Sequence, residues 1–283
     1  MTTAKLKPHF SRKLLAIPYA LFLAIFVVVP LFIVLYYAFT DDNNVFTWDY
    51  LILFFTDGGS LAQFFSSPIF QTISLSLFIS LMSTIVCLLI AYPVAYIIAN
   101  CKLKNKSTLL LMFIVPMWVN FVLRINALKE FFVWIGTYNK SDAWNIINTI
   151  IGMVYDFLPF MILPIYTTII KIDKSYLEAA KDLGATAPKA FLKVTLPLSK
   201  SGIISGISMV FLPSMTNYVV SNYLTYRNVK IFGKLIDDYF SGDLWHDGSF
   251  VALVLLLFMF LVTWLTGGFE ADEQSETRGT SLW

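Results

Sequence analysis

Apolar residues gather into six long runs separated by short polar segments: Leu14–Phe39, Phe70–Asn100, Ser107–Leu128, Ile146–Ile170, Gly202–Leu224 and Phe250–Gly267. A helix needs about 20 mostly apolar residues to cross a bilayer. Five of the runs meet that length and the last falls a little short. The second is long enough to require tilt, or to leave part of itself outside the lipid. The pattern predicts an all-α integral membrane protein with six transmembrane helices. Composition agrees, since 58% of the 283 residues are hydrophobic and 13% are charged. A soluble domain carries about 45–50% apolar and about 25% charged residues.

The linkers between the runs differ in charge. Lys5, Lys7, Arg12 and Lys13 precede the first run, Lys102, Lys104 and Lys106 follow the second, and Lys171, Lys174, Lys181, Lys189, Lys193 and Lys200 follow the fourth. With Arg278 in the tail, 14 of the 20 basic residues lie on one side. The other side has Arg124, Lys129, Lys140, Arg227, Lys230 and Lys234. The bias predicts both termini and the 171–200 loop in the cytoplasm. The opposite loops carry Asp41, Asp42, Asp49 and Asp57, then Asp237, Asp238, Asp243 and Asp247. They read either as ordinary solvated loops or as an acidic vestibule that concentrates cations. The first run is too long for a cleaved leader. The polar, acidic segment 268–283 reads as a disordered tail.

The net charge of +2 points to no nucleic-acid partner. Cys87 and Cys101 lack metal-ligand or redox spacing and read as unpaired thiols. No phosphate-binding loop is present: Leu235 follows Gly233-Lys234, and Asn228 stands where the first glycine belongs. Any ATP is then hydrolysed by another chain. Asp156 lies inside the fourth run beside Tyr155, as in intramembrane aspartyl proteases. The nearest second motif, Phe240-Ser241-Gly242-Asp243, lacks its first glycine and sits in a polar loop.

The 171–200 loop is longer than a connection requires. Tyr176, Leu177, Ala180 and Leu183 recur at helical spacing. Gly184 is placed to end that helix, and Thr186 and Pro188 to start a second. Ala187, Ala190, Phe191 and Val194 give the second helix an apolar face, and Leu196-Pro197 ends it. Such a hairpin either docks on a partner or lies on the lipid surface.

Three features remain within the runs. A charge at Asp156 is costly in a membrane. It is either a cation contact on a translocation path, a structural pair with Arg124, or nearer the surface than the run implies. Arg124 itself either snorkels to the headgroups or faces the interior, with Asn120 and Asn126 nearby. In the fifth run, Ser201, Ser205 and Ser208 lie on one face beside Gly202 and Gly206. Ser214, Asn217 and Ser221 lie roughly opposite, with Pro213 between the stripes. Small residues allow close helix packing. The outer stripe, with Tyr218 and Tyr223, is a candidate pore lining whose rings suit ammonium groups.

The loop Glu178–Pro197 resembles the EAA loop of ABC-importer permeases: Glu178-Ala179-Ala180, Gly184, Leu196 and Pro197 stand at the family spacing, with Val194 in place of isoleucine. IVPMWVNFVLRINAL, DFLPFMILPIYTTI and FLPSMTNYVVSNYL are similar to segments of spermidine/putrescine permeases of the PotB type. Related permeases carry iron, sulfate or molybdate. The resemblance implies the type I (MetI-like) importer fold, with residues 1–13 as a cytoplasmic N-terminus, 14–69 a first helix and outer loop, and 70–267 the core permease domain. It implies a hairpin that couples to a separate ATP-binding subunit dimer through Glu178, Ala179, Ala180, Gly184, Leu196 and Pro197. That dimer would hold ATP and Mg, leaving this chain without a cofactor or metal of its own. It further implies a second homologous permease, a polyamine-binding protein outside the membrane and a bacterial inner-membrane location. The substrate path expected from the residues comprises Asp156, Asn217, Tyr218, Tyr223, Ser214 and Asn120. A stand-alone secondary transporter would need inverted repeats, and no convincing internal repeat is present.

Overall fold

The computed structural model describes residues 17–41, 43, 45–56, 65, 67–101 and 106–265. The expected N-terminal segment 1–13, Lys102, Lys104, Asp42, Asp57 and the acidic tail lie outside the described residues. The described chain forms helices α1 (Ile17–Ala38), α2 (Asp49–Thr56), α3 (Pro68–Asn100), α4 (Lys106–Ile114), α5 (Phe121–Trp134), α6 (Asp142–Ile169), α7 (Lys174–Asp182), α8 (Ala187–Leu198), α9 (Lys200–Thr216), α10 (Tyr218–Leu224), α11 (Phe232–Ser241) and α12 (Trp245–Leu265). No sheet occurs among the described residues; one isolated bridge joins Thr40 and Phe46.

Local chemistry places the helix starts. Ser67 caps α3, its hydroxyl accepting from the Phe70 amide at 3.1 Å, with Pro68 at the first helical position. Ser141 caps α6 through the Trp144 amide, and Asp142 complements the positive end of the helix. The second, fourth and sixth runs thus become α3, α6 and α12, with starts shifted by a few residues. Pro30 and Pro197 each follow a widened π turn, Ala24–Val28 and Phe191–Thr195. A proline supplies no amide to the turn before it and crowds the carbonyl four residues back, and the wider turn relieves both.

α3, α6 and α9 form the centre of the bundle, with α6 packed against both of the others. In lipid, helices gain little from hiding apolar surface from one another, so close packing must hold them. Gly202 and Gly206 supply it. A Cβ on Gly202 would lie 2.6 Å from Thr168 Oγ1 and 2.7 Å from the Pro164 carbonyl, and one on Gly206 would lie 2.6 Å from Met161 Sδ. Gly152 gives α10 the same access to α6, beneath Val220 and Leu224. Met153, Met161, Ile162 and Ile165 of α6 are fully buried in this core. A second cluster joins Ala38, Phe54, Met215, Phe232, Phe250 and Val251. α1 leans on α12 and otherwise exposes its apolar length, as a lipid-facing helix does.

Four helices are long and apolar enough to cross a membrane, or six if each of two bent pairs counts as one span. The third run departs from expectation. It breaks between Trp118 and Phe121, where the axis turns by 92°. Pro116 tightens the chain into a 3₁₀ turn, and the Asn120 side chain accepts from the Val122 and Leu123 amides, starting α5 afresh. The fifth run is also divided: the break falls at Asn217, between α9 and α10, rather than at Pro213. α8 continues through Pro197 to Leu198 before a 64° bend into α9, so Leu196-Pro197 does not end it.

Candidate functional site: a helical hairpin and a buried ion pair

The hairpin forms at one end of the bundle. Asp173 caps α7, its carboxylate accepting from the Ser175 amide at 2.9 Å. That backbone hydrogen bond holds the Asp173 carboxyl below its ordinary value. At the other end Gly184 has φ +78°, the left-handed conformation glycine enters without penalty. Its amide donates to the Lys181 carbonyl at 2.8 Å, and the Ala185 amide donates to the Ala180 carbonyl at 2.9 Å. This pair of bonds is a Schellman closure. Thr186 precedes α8 as expected, though its side chain makes no capping bond.

α8 is anchored on the bundle. Phe191 packs edge-on against Tyr92 and Tyr96 of α3, at 5.6 and 5.1 Å between ring centroids. Tyr92 and the buried Ser199 hydroxyl hydrogen-bond at 2.7 Å. Ala190 is buried and Val194 half-buried, whereas Ala187 is exposed and plays no part in that face. α7 projects outward instead. Glu178 and Ala179 are exposed, Leu177 and Ala180 are half-buried, and Leu183 is 89% exposed. Tyr176, Leu192 and Leu198 add to this apolar surface, and Pro197 is exposed between the last two.

The second site lies about halfway along α6. Asp156 is 14 residues into the helix, about 21 Å from its start at 1.5 Å per residue. Arg124 Nη2 donates to Asp156 Oδ1 at 2.7 Å, and the two side chains are 10% and 8% exposed. Of the alternatives open for Asp156, the geometry contains the pair with Arg124. Arg124 does not snorkel. The 92° break brings the start of α5 to the middle of α6. The guanidinium carbon stands 5.9 Å from the Tyr155 ring centroid.

A third cluster occupies the end opposite the hairpin. Lys234 bridges Asp237 at 2.6 Å and Asp238 at 2.9 Å, and Lys230 reaches Asp238 at 3.8 Å. The Lys234 hydrogen bond holds the Asp237 carboxyl below its usual range, and that bond raises Lys234. The Tyr218 hydroxyl donates to Asp237 at 3.3 Å, and Lys234 lies over the Tyr218 ring at 5.5 Å. Asp237 and Asp238 are therefore partly neutralised by Lys234 on the same helix and by Lys230 just before it.

The other expected path residues are dispersed. Ser214 is buried and bonds back to the Phe211 carbonyl at 2.8 Å. Ser221 is buried too and returns to the Tyr218 carbonyl. Asn120 serves as the cap of α5. Asn217 is half-buried at the helix break, and Tyr223 is exposed. Both cysteines are free thiols. Among the described residues no group of three His, Cys, Asp or Glu side chains is placed to hold a metal ion.

No protein-family model matches the chain. It is 35% identical over 255 residues to the spermidine/putrescine transport system permease protein PotB of Haemophilus influenzae, covering 85% of this chain and 87% of that one. The Escherichia coli protein of the same name is 36% identical over 211 residues, 69% of this chain and 77% of its own. A PotB homolog of Mycoplasma genitalium is 28% identical over 233 residues, 78% of this chain and 77% of its own. Among solved structures, a chain of a bacterial alginate ABC transporter in complex with its alginate pentasaccharide-bound periplasmic protein superposes with a TM-score of 0.71. The match covers 90% of this chain and 92% of that one at 14% identity, a likeness of fold.

Proposed function

Because the chain belongs to the PotB family of spermidine/putrescine transport system permeases, we propose that it is the membrane-crossing subunit of an ABC importer that carries polyamines inward by alternating access. The observation that carries this reading is the 35% identity to a PotB permease over 255 residues. In it, α7 and α8 dock in a groove of a separate ATPase dimer, which holds ATP and Mg. The exposed apolar residues of α7 favour that role over simple connection. A second, homologous permease completes the pore, and a soluble binding protein delivers the polyamine at the end opposite the hairpin. The lysine-rich 171–200 loop faces the cytoplasm of the bacterial cell, as the positive-inside rule requires.

A polyamine carries several ammonium groups on short hydrocarbon links. Its path needs carboxylates, neutral acceptors and aromatic faces. Asp156, Asn217, Tyr218 and Tyr223 carry those chemistries, with Asp156 paired to Arg124 and Tyr218 tied to Asp237 and Lys234, whereas Ser214 and Asn120 are committed to their own helices. The test is ATP-dependent uptake of labelled spermidine and putrescine into proteoliposomes holding the complete transporter and its binding protein. Polyamine accumulation is expected. Import of sulfate or iron, with no polyamine, would overturn the substrate reading.

A further inference from the structure

We propose that Arg124 is a resident cation on the translocation path: it occupies Asp156 until an ammonium group of the passing polyamine takes its place. The inference rests on the polyamine reading above. It starts from the incomplete geometry of the pair. An arginine and a carboxylate that serve packing alone gain most from a two-pronged contact, which engages both oxygens and two guanidinium nitrogens. Here the contact is single. Arg124 reaches only Oδ1, its Nε is buried without a partner, and Oδ2 accepts no hydrogen bond among the described residues. A buried ion pair left in this state is a poor stabiliser, because desolvation outweighs an incomplete attraction. It leaves a buried carboxyl group halfway along α6 with one oxygen uncommitted.

Tyr155 adds the second half of a cation site. It is the neighbour of Asp156 in sequence and 43% exposed, and its ring already attracts the Arg124 guanidinium. In this proposal an ammonium group meets that ring first and then displaces the guanidinium from the Asp156 carboxyl group, which is 8% exposed with Arg124 in place. With Arg124 present, the site is neutral before the substrate arrives and positive afterwards, so the next ammonium group of the same molecule is pushed onward. A transport site must bind well enough to admit its substrate and weakly enough to release it. Arg124 sets that balance by competing for the carboxylate.

This assignment predicts opposite signs for the two partners, which a structural pair cannot give. Equilibrium binding of labelled spermidine is measured on the complete permease–ATPase complex in nanodiscs, without the binding protein. Maximal uptake rate is measured separately in proteoliposomes. Arg124→Gln should tighten spermidine binding by about tenfold, the scale of one charge-assisted contact, and lower the maximal uptake rate. Asp156→Asn should weaken binding by about the same factor. Tyr155→Leu, at an exposed position that tolerates substitution, should weaken binding about threefold, the scale of a cation–π contact. If Arg124→Gln and Asp156→Asn both weaken binding, or neither changes it, the assignment is wrong. Should Arg124→Gln fail to assemble, unchanged affinity in Tyr155→Leu overturns it instead. A parent complex that neither binds nor imports polyamine defeats the underlying functional reading, which is a different outcome from a parent that transports while the variants shift with the same sign.

Discussion

Gly202 and Gly184 stand 18 positions apart in the chain and serve opposite needs. Gly202 has ordinary helical geometry and no space, since α6 presses on it with a backbone carbonyl and a threonine. Gly184 has open space around it and a backbone that other residues enter at a cost. The first lets two helices of one chain approach closely in lipid. The second turns the chain so that an apolar helix face is left exposed. The transmembrane bundle is thus specified by side-chain volume, and the hairpin by backbone conformation and exposed surface.

The same substitution at both positions separates these roles. Gly202→Ala should cost about 1–3 kcal/mol of bundle stability, because the carbonyl of Pro164 cannot move aside as a side chain tip can. Gly184→Ala should cost about 1 kcal/mol through the left-handed backbone alone. That loss should stay within the hairpin. Melting of the purified chain in detergent, alongside hydrogen exchange of residues 174–198, distinguishes the two. A Gly202→Ala protein as stable as its parent would mean that α6 and α9 do not pack as described.

Leu183 sharpens the contrast from the other side. At 89% exposure it contributes almost no packing to its own chain. Leu183→Asp should change permease stability by less than about 0.5 kcal/mol, as surface substitutions usually do. Burying a leucine at an interface is worth about 1.5–3 kcal/mol. Loss of that burial should therefore weaken ATPase binding by at least about tenfold. Titration of the purified ATPase dimer onto detergent-solubilised permease complex measures this. Unchanged affinity would remove Leu183 from the coupling surface.

Sequence patterning recovered what depends on local order. Hydropathy located α3, α6 and α12, and the Gly184 turn followed from helix spacing together with one glycine. What it missed depends on long-range placement. Hydropathy ran smoothly over Pro116 and Asn120, although a proline followed by a cap-forming asparagine marks a restart. Missing that break left the pair of Arg124 with Asp156 as one alternative beside snorkelling, where the bend settles it. The tie between Tyr218 and Asp237 was equally invisible, because it forms only after the chain turns back at 225–231, whereas the Lys234 bridges to Asp237 and Asp238 are local pairs at helical spacing. Asp237 and Asp238 read as a freer acidic surface than the lysine-bridged cluster they form.

The smallest effect concerns how firmly the start of the hairpin is held. Asp173 starts α7, and the Ser175 amide bonds to its ionised carboxylate, which keeps the carboxyl below its ordinary value. A group whose pKa is depressed by folding contributes stability above its unfolded value, near pH 4, and loses that contribution as pH falls through the folded value. The start of α7 should therefore loosen on acidification, while the α6–α9 interface, held by glycine contacts, should not respond through this group. Asp173→Asn keeps an acceptor for the Ser175 amide without the titrating charge. It should remove the pH dependence of α7 and leave its protection near the parental level at neutral pH. Limited proteolysis of the parent and Asp173→Asn proteins, using an acid-active protease between about pH 5 and pH 3, reads the difference at residues 173–183. Because Asp173 is exposed, salt should shrink the effect. Identical pH profiles for the two proteins would mean that α7 takes its stability from elsewhere in the hairpin.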